Sequence, residues 1–156
     1  MKAARLRRRR GHPVARTDPT RPNEGTSAIV PRIEIRTPEA PSPGGAYSQG
    51  VRIGRILCTA GLGPHDPVTK RVVGEDVAAQ TAQVMKNLDA VLRAGGASFA
   101  DVIKTTVHLQ DVERDFAAFN RVYESFLTPP YPVRTTVGSR LLGILVEIDM
   151  MAVVTQ

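Results

Sequence analysis

The sequence predicts an α+β protein in which two amphipathic helices lie on one face of a β-sheet. Two long segments repeat apolar residues with helical spacing, and five shorter segments are rich in β-branched and apolar residues. Along the chain these elements follow the order strand, strand, helix, strand, helix, strand, strand. Two helices can cover only one face of such a sheet, so the other face is either solvated or buried against another chain.

The first helix is predicted over residues 75–96, EDVAAQTAQVMKNLDAVLRAGG. Its inward-facing side chains recur at helical spacing and form one stripe, made of Val77, Thr81, Val84, Leu88, Val91 and Leu92. Glu75 and Asp76 are placed at the positive end of the helix dipole, and the pair Gly95-Gly96 marks the other end.

The second helix is predicted over residues 111–127, DVERDFAAFNRVYESFL. Its stripe consists of Val112, Phe116, Phe119, Tyr123 and Phe126. Between the helices, Ser98 and Asp101 have the spacing of a capping box. They are expected to open a short turn before the strand VIKTTVHLQ, residues 102–110.

The last predicted strand, ILVEIDMMAVV, covers residues 144–154, and its side chains alternate between two faces. One face is entirely apolar and suited to lie under the helices; it consists of Ile144, Val146, Ile148, Met150 and Ala152. The opposite face carries two carboxylates, Glu147 and Asp149, among Leu, Met and Val side chains. If another chain buries this face, the two carboxylates need positive partners or raised pKa values.

Arg134 is the charged residue of an otherwise uncharged strand, VRTTVGS, which follows a proline-rich loop. Arg134, Thr136 and Gly138 share one face of that strand. A guanidinium next to the Glu147 carboxylate at a subunit interface suits a small carboxylated or zwitterionic ligand. The same two groups on neighbouring strands would also make a structural ion pair, and the residues alone leave both interpretations open.

The net charge of +6 is concentrated at the N-terminus. Residues 1–32 hold nine basic and two acidic side chains, a net charge of +7, so the remaining 124 residues, with 12 basic and 13 acidic, carry −1. Residues 1–31 contain RRRR, four prolines and no apolar period, which predicts a disordered extension before a domain at residues 32–156. A targeting segment and nonspecific contact with polyanions are alternative roles for this extension.

Composition disfavours several classes of site. Cys58 is the single cysteine, which excludes an intramolecular disulfide and fits a reducing compartment; within an apolar strand it is expected to be inert. The histidines His12, His65 and His108 lack metal-ligand spacing, so no metal is expected. No apolar run approaches the roughly 18 residues of a membrane span.

Five segments in order resemble the RidA (YjgF-type) family of enamine and imine deaminases: GAYSQG, TAGLGPHDPVTKRVVG, VIKTTVHLQDVERDFAAFNRVYESFL, PVRTTVG and VEIDMMAV. The resemblance runs from about Ile33 to Val154. It implies a chorismate-mutase-like fold with a mostly antiparallel six-stranded sheet, and a homotrimer whose sheets form a central barrel. It also implies cofactor-independent hydrolysis of 2-aminoacrylate, 2-iminopropanoate, 2-iminobutanoate or a bulkier analogue to 2-oxo acids and ammonia.

The resemblance also implies roles for individual residues. Arg134 is expected to grip the substrate carboxylate, and Glu147 is expected to position or activate the attacking water. The other implied substrate-binding residues are Tyr47, Ala60, Gly61, Asn120 and Thr136. Ala60 and Leu62 stand where the family has serine and glutamine, which implies a less polar pocket that favours bulkier or more apolar substrates.

Two alternatives remain beside deamination. One is an RNA-directed translation inhibitor or endoribonuclease-like function, because some relatives are described in those terms. The near-neutral domain disfavours nucleic acid as a partner, except weakly through the arginine-rich tail. The other alternative is a non-catalytic, ligand-binding or chaperone-like trimer. The expected partners are therefore a small 2-imino acid and further copies of the chain, with no membrane contact and a cytoplasmic location.

Overall fold

The computed structural model describes residues 30–155, which form a six-stranded sheet with two α-helices. The strands are β1 (Arg32–Ile35), β2 (Gly50–Ile53), β3 (Ile56–Thr59), β4 (Val102–Leu109), β5 (Val133–Gly138) and β6 (Val146–Val153). The helices are α1 (Val77–Ala94) and α2 (Val112–Ser125), and a short 3-10 helix (Phe99–Asp101) leads into β4. Apart from Val30 and Pro31, the extension predicted to be disordered lies outside the described residues. Within the described part of the chain, no helix combines the length and hydropathy needed to cross a membrane.

The strands are arranged in the order β1-β2-β3-β6-β4-β5. Neighbouring strands are antiparallel, except that β4 and β5 are parallel because α2 carries the chain back between them. Both helices pack on the sheet and against each other, so the core lies between one face of the sheet and the helix layer. The predicted α+β fold is confirmed, including the mostly antiparallel, six-stranded sheet.

β2 is absent from the five strands that the sequence pattern predicts. It has four residues and follows a long loop rich in Pro and Gly, so it is too short to show a clear alternation. A two-residue turn at Gly54-Arg55 joins it to β3, and Gly54 has a positive φ of 55° that suits this tight reversal. The next predicted strand, residues 55–62, is also shorter than expected, since β3 ends at Thr59.

Both ends of α1 are fixed by local hydrogen bonds. The side chain of Asp76 accepts a hydrogen bond from the backbone N–H of Ala79 at 2.8 Å, which caps the N-terminus. At the other end Gly96 has a φ of 82°, and the N–H of Ala97 bonds back to the carbonyl of Leu92 at 2.9 Å. This arrangement is a Schellman motif, and it explains why the glycine pair ends the helix.

The predicted apolar stripe of α1 is the centre of the core. All six of its members are buried: Val77, Thr81, Val84, Leu88, Val91 and Leu92. They pack on the inward face of the sheet, where Leu57, Val107, Val146 and Ile148 are fully buried. The capping box of Ser98 and Asp101 is also confirmed.

Replacing Val84 with alanine should destabilise the fold by about 2 kcal/mol, because Val84 is 0% exposed and its removal leaves a cavity under α1. The matched control is Val68→Ala, since Val68 is 85% exposed and the change should alter the free energy of unfolding by less than about 0.5 kcal/mol. Urea denaturation of the two variants measures the difference. Equal stability of both variants would contradict this packing.

Candidate active site

Arg134 and Glu147 lie on opposite faces of the sheet. Arg134 pairs with Thr105 of β4, and Thr105 pairs with Met150, whose side chain is buried under the helices. Glu147 pairs with His108, three residues further along β4 and therefore on the other face.

The prediction that Arg134 and Glu147 are on neighbouring strands is wrong, because β4 separates β5 from β6. The parallel return through α2 places β5 at the sheet edge, and β6 then pairs on the far side of β4. Within residues 30–155 the structural ion pair between the two groups does not form.

The guanidinium of Arg134 is held by α2. Its Nη1 donates a hydrogen bond to Oδ1 of Asn120 at 2.9 Å. Its central carbon lies 4.9 Å from the ring centroid of Tyr123, 5.4 Å from that of Phe119 and 5.7 Å from that of Phe116. Cation–π attraction to these rings fixes the position of the charge without neutralising it.

This contact also explains Phe116. The sequence places Phe116 in the core stripe of α2, but its side chain is 41% exposed. It lies at the end of the row of rings beside Arg134, at 6.4 Å from the ring of Phe119. The Phe116 ring therefore contacts the Arg134 guanidinium and is not part of the buried core.

Arg134 opens onto a cavity of about 370 Å³, here called the Arg134 cavity. Its walls are formed by Asn120, Tyr123, Glu124, Tyr131, Pro132 and Arg134. Among the described residues Arg134 forms no ion pair, so its remaining N–H donors are available to an anion. A planar guanidinium in this setting suits the bidentate binding of a carboxylate.

Two tyrosines of the cavity have raised pKa values for different reasons. Tyr131 donates a hydrogen bond to Oε1 of Glu124 at 3.2 Å, and this bond raises the pKa of the Tyr131 phenol because it favours the protonated form. Tyr123 is buried and donates to Oγ1 of Thr105 at 3.1 Å; burial is the main cause of its raised pKa. Both phenols are therefore neutral donors at ordinary pH.

Glu147 lies in a second cavity of about 270 Å³ on the outward face, here called the Glu147 cavity. A Cβ placed on Gly61 would lie 2.7 Å from Oε1 of Glu147, so only glycine leaves room for the carboxylate in this position. Leu62 and Ile148 exchange backbone hydrogen bonds of 2.9 and 3.2 Å, which attaches the Gly61 segment to β6. The backbone at Gly61 and the carboxylate are thus held side by side.

Tyr47 reaches the Glu147 cavity from the loop between β1 and β2. The buried amide of Gln49 fixes this loop, since it accepts from the N–H of Thr37 and donates to the carbonyls of Ala40 and Pro41. The phenol oxygen of Tyr47 accepts a hydrogen bond from the N–H of Gly44 at 3.0 Å. The ring is held at the rim of the cavity, with 55% of the residue exposed.

The remaining wall of the Glu147 cavity is mixed in polarity. Leu62 and Ile144 are apolar, whereas His65 and Lys70 are not. The Nζ of Lys70 donates to Oγ of Ser42 at 3.1 Å across the mouth of the cavity. Sequence reasoning left His65 and Lys70 out of the site, because their loop carries no periodic pattern.

Ala60 and Thr136, which the resemblance also implies to bind substrate, lie outside both cavities. Ala60 packs against the core, and its N–H donates to the carbonyl of Gln49 at 2.9 Å. Oγ1 of Thr136 is buried without a hydrogen-bond partner among the described residues. Neither side chain lines the Arg134 cavity or the Glu147 cavity.

Cys58 lies opposite Met151 on the outward face, next to the carboxylate of Asp149. Burial raises the pKa of the Cys58 thiol, and the negative charge of Asp149 raises it further. A raised pKa lowers the fraction of reactive thiolate, so the expected inert character of Cys58 has a physical basis. Among residues 30–155, no group of three or more His, Cys, Asp or Glu side chains could hold a metal ion.

The implied site residues therefore form two separate groups within one chain. Arg134 and Asn120 belong to the Arg134 cavity, whereas Glu147, Gly61 and Tyr47 belong to the Glu147 cavity. Sequence reasoning missed the roles of Phe116, Phe119, Tyr123, Glu124 and Tyr131. The spacing of three and four residues along α2 could have indicated that Phe116, Tyr123 and Glu124 share a face with Asn120.

Comparison with known proteins gives a consistent result. A family model described as endoribonuclease L-PSP matches residues 37–154. The chain is 44% identical to a RutC family protein of Saccharolobus solfataricus over 120 residues, which is 76% of this chain and 94% of that protein. It is 40% identical to the 2-iminobutanoate/2-iminopropanoate deaminase of Salmonella typhimurium over 124 residues, 76% of this chain and 95% of that one.

A solved structure agrees with these matches. The crystal structure of RidA from the Antarctic bacterium Psychrobacter sp. superposes with a TM-score of 0.74 and 36% identity. The match covers 78% of this chain and 98% of the Psychrobacter chain.

Replacing Glu124 with glutamine should lower the pKa of Tyr131 towards its ordinary value. In the wild type the Glu124 carboxylate accepts a hydrogen bond from the Tyr131 phenol, so the protonated phenol is favoured and its pKa is raised. Tyrosine Cζ chemical shifts followed through alkaline pH measure the change, and Tyr123 is the internal control because burial causes its shift. An unchanged Tyr131 titration would show that the two groups do not interact in solution.

Proposed function

The chain belongs to the RidA/YjgF (endoribonuclease L-PSP) family, and we propose that it hydrolyses reactive 2-imino acids and their enamine forms to 2-oxo acids and ammonia. The observation that carries the proposal is the Arg134 guanidinium, which α2 fixes by three rings and one amide and leaves without a described counter-ion. A small substrate with a carboxylate beside its reacting carbon fits this receptor. The Salmonella relative named as a 2-iminobutanoate/2-iminopropanoate deaminase supports the same substrate class.

Arg134 is proposed to bind the substrate carboxylate through two N–H donors. The hydrogen bond to Asn120 uses one N–H of Nη1, which leaves other N–H donors of the guanidinium for the carboxylate. Because the C=N carbon is bonded directly to the carboxylate carbon, holding the carboxylate also places the reacting carbon. The translational and rotational entropy of the substrate is therefore lost on binding, and less entropy has to be lost in the reaction with water itself.

Glu147 is proposed to act on the attacking water. As the water oxygen bonds to the imine carbon, the π electrons move to nitrogen, and Glu147 accepts a proton from the water. With the imine bound in its protonated form, the same proton then passes to the amino nitrogen of the resulting carbinolamine. Glu147 takes up the hydroxyl proton as the carbonyl of the 2-oxo acid forms, the C–N bond breaks with its electron pair on nitrogen, and ammonia leaves. Glu147 then releases its proton to solvent. The Gly61 backbone lies close to this carboxylate, since a Cβ there would be 2.7 Å from Oε1 of Glu147, and its N–H is proposed to help hold the substrate carboxylate.

Arg134 and Glu147 are proposed to meet only when two copies of the chain associate. In one chain the two residues lie on opposite faces of the sheet, with β4 between their strands. The outward face exposes apolar side chains that suit burial against a second sheet, among them Ile53, Ile56, Val133, Val137 and Met151. A homotrimer with one site at each interface meets both requirements.

Wild-type protein should accelerate loss of 2-iminobutanoate, and Arg134→Ala should lower kcat/KM by about 10- to 100-fold, the range expected for losing hydrogen bonds to a charged group. The imine is generated from L-2-aminobutanoate by an amino acid oxidase, and semicarbazide captures what remains. Arg121→Ala is the matched control, because Arg121 is exposed on α2 and lines neither the Arg134 cavity nor the Glu147 cavity.

Two outcomes would overturn the proposal. If the wild type removes the imine no faster than buffer, the chain is not a deaminase of this class. If Arg134→Ala and Arg121→Ala retain equal activity, the carboxylate is not held by Arg134. A further variant, Arg134→Lys, should remain impaired, because an ammonium keeps the charge but loses the planar pair of donors.

A further inference from the structure

The Arg134 cavity contains a carboxylate as well as a guanidinium. Glu124 lines the same cavity, and within residues 30–155 neither Glu124 nor Arg134 forms an ion pair. Opposite charges that share a small cavity and leave each other unpaired offer complementary partners to a ligand that carries both charges.

Asn120, the residue that holds Arg134, lies about one helical turn before Glu124 on α2. Arg134 is bonded to Asn120, and Glu124 follows Asn120 by four residues on the same face of α2. Side chains at this spacing have Cβ atoms about 5–6 Å apart. A small molecule that carries its negative and positive groups on one carbon atom or on adjacent ones can therefore contact both residues within this cavity of about 370 Å³.

Glu124 is also oriented. The phenol of Tyr131 donates to Oε1 of Glu124 at 3.2 Å, and Tyr131 is itself a wall of the cavity. One carboxylate oxygen is thus engaged by a neutral donor, and the other remains available to accept from an N–H group. A neutral phenol orients the carboxylate without cancelling its charge.

We propose that the Arg134 cavity binds its ligand as a zwitterion, with the carboxylate on Arg134 and the positively charged nitrogen on Glu124. In the substrate this nitrogen is the protonated imine, which is the form most open to attack by water. For the substrate, this inference rests on the proposed deaminase function. The same cavity should also bind the parent α-amino acid, whose ammonium replaces the iminium group.

A nitrogen site at Glu124 would bind the substrate more tightly than the product. Hydrolysis replaces the cationic nitrogen with a neutral carbonyl oxygen, so the 2-oxo acid loses its attraction to Glu124 and instead brings an oxygen towards a carboxylate. The product should therefore leave more readily than the substrate. Glu124 becomes a specificity-determining residue that distinguishes zwitterionic from purely anionic ligands.

The test compares two ligands of equal chain length, L-2-aminobutanoate and 2-oxobutanoate, by titration of amide chemical shifts in the full protein. Wild-type protein should bind L-2-aminobutanoate about 10-fold or more tightly than 2-oxobutanoate, as expected for one additional charge-assisted hydrogen bond. Glu124→Gln should abolish this preference, and Tyr131→Phe should weaken it. Glu113→Gln is the control, because it makes the same charge change at an exposed position of the same helix.

The inference is overturned if Glu124→Gln keeps the wild-type preference, if wild-type protein prefers 2-oxobutanoate, or if Arg134→Ala binds both ligands as well as the wild type does. The binding measurement does not depend on catalysis. A wild-type protein that lacks imine hydrolysis but prefers the amino acid would contradict the proposed function alone. An active protein whose preference is insensitive to Glu124 would contradict the zwitterion site alone.

Discussion

The alternation of side chains along a β-strand determines where the charged groups of this protein can act. Arg134 and Glu147 belong to strands on either side of β4, and their partners on β4 are three residues apart. An odd separation sends the two side chains to opposite faces of the sheet. Within one chain the sheet separates the two side chains, so the proposed site that uses both draws them from two copies of the chain.

Helix α2 holds the Arg134 guanidinium in place for binding an anionic ligand. A guanidinium beneath a helix would ordinarily need a carboxylate partner, because removing a charge from water without compensation is unfavourable. Here the rings of Phe116, Phe119 and Tyr123 and the amide of Asn120 hold the group in place. The three aromatic rings and the amide stabilise the cation without carrying a negative charge, so the charge of Arg134 remains available to an anionic ligand.

The sequence predicts the helices better than the sheet. The α1 stripe is long and periodic, and every member is buried as predicted. β2 is missed because four residues after a loop cannot establish a period. The position of β5 at the sheet edge, next to β4, depends on pairing between distant strands, which no local pattern records. For this reason the prediction that Arg134 and Glu147 are on neighbouring strands is wrong, although the sequence identifies both residues as candidates.

The site itself was only partly predictable. Arg134, Asn120, Glu147, Gly61 and Tyr47 were proposed from family resemblance, and the structure groups them into two cavities. Glu124 and Tyr131 were not, because a single carboxylate on an exposed helix face is ordinarily a solvated charge. Their relevance depends on a hydrogen bond between a helix and the following loop, and only the folded chain brings the two together.

The central claim is that catalysis needs Arg134 of one chain and Glu147 of another. The impaired Arg134→Ala and Glu147→Gln proteins, unfolded together in equal amounts and refolded, test it directly. If sites form between copies, the mixture should recover about a quarter of wild-type activity, because that share of interfaces combines two intact residues. Each variant refolded alone should keep only its own low residual activity. A mixture as inactive as its components would contradict the claim, since a site contained in one chain cannot be repaired by mixing.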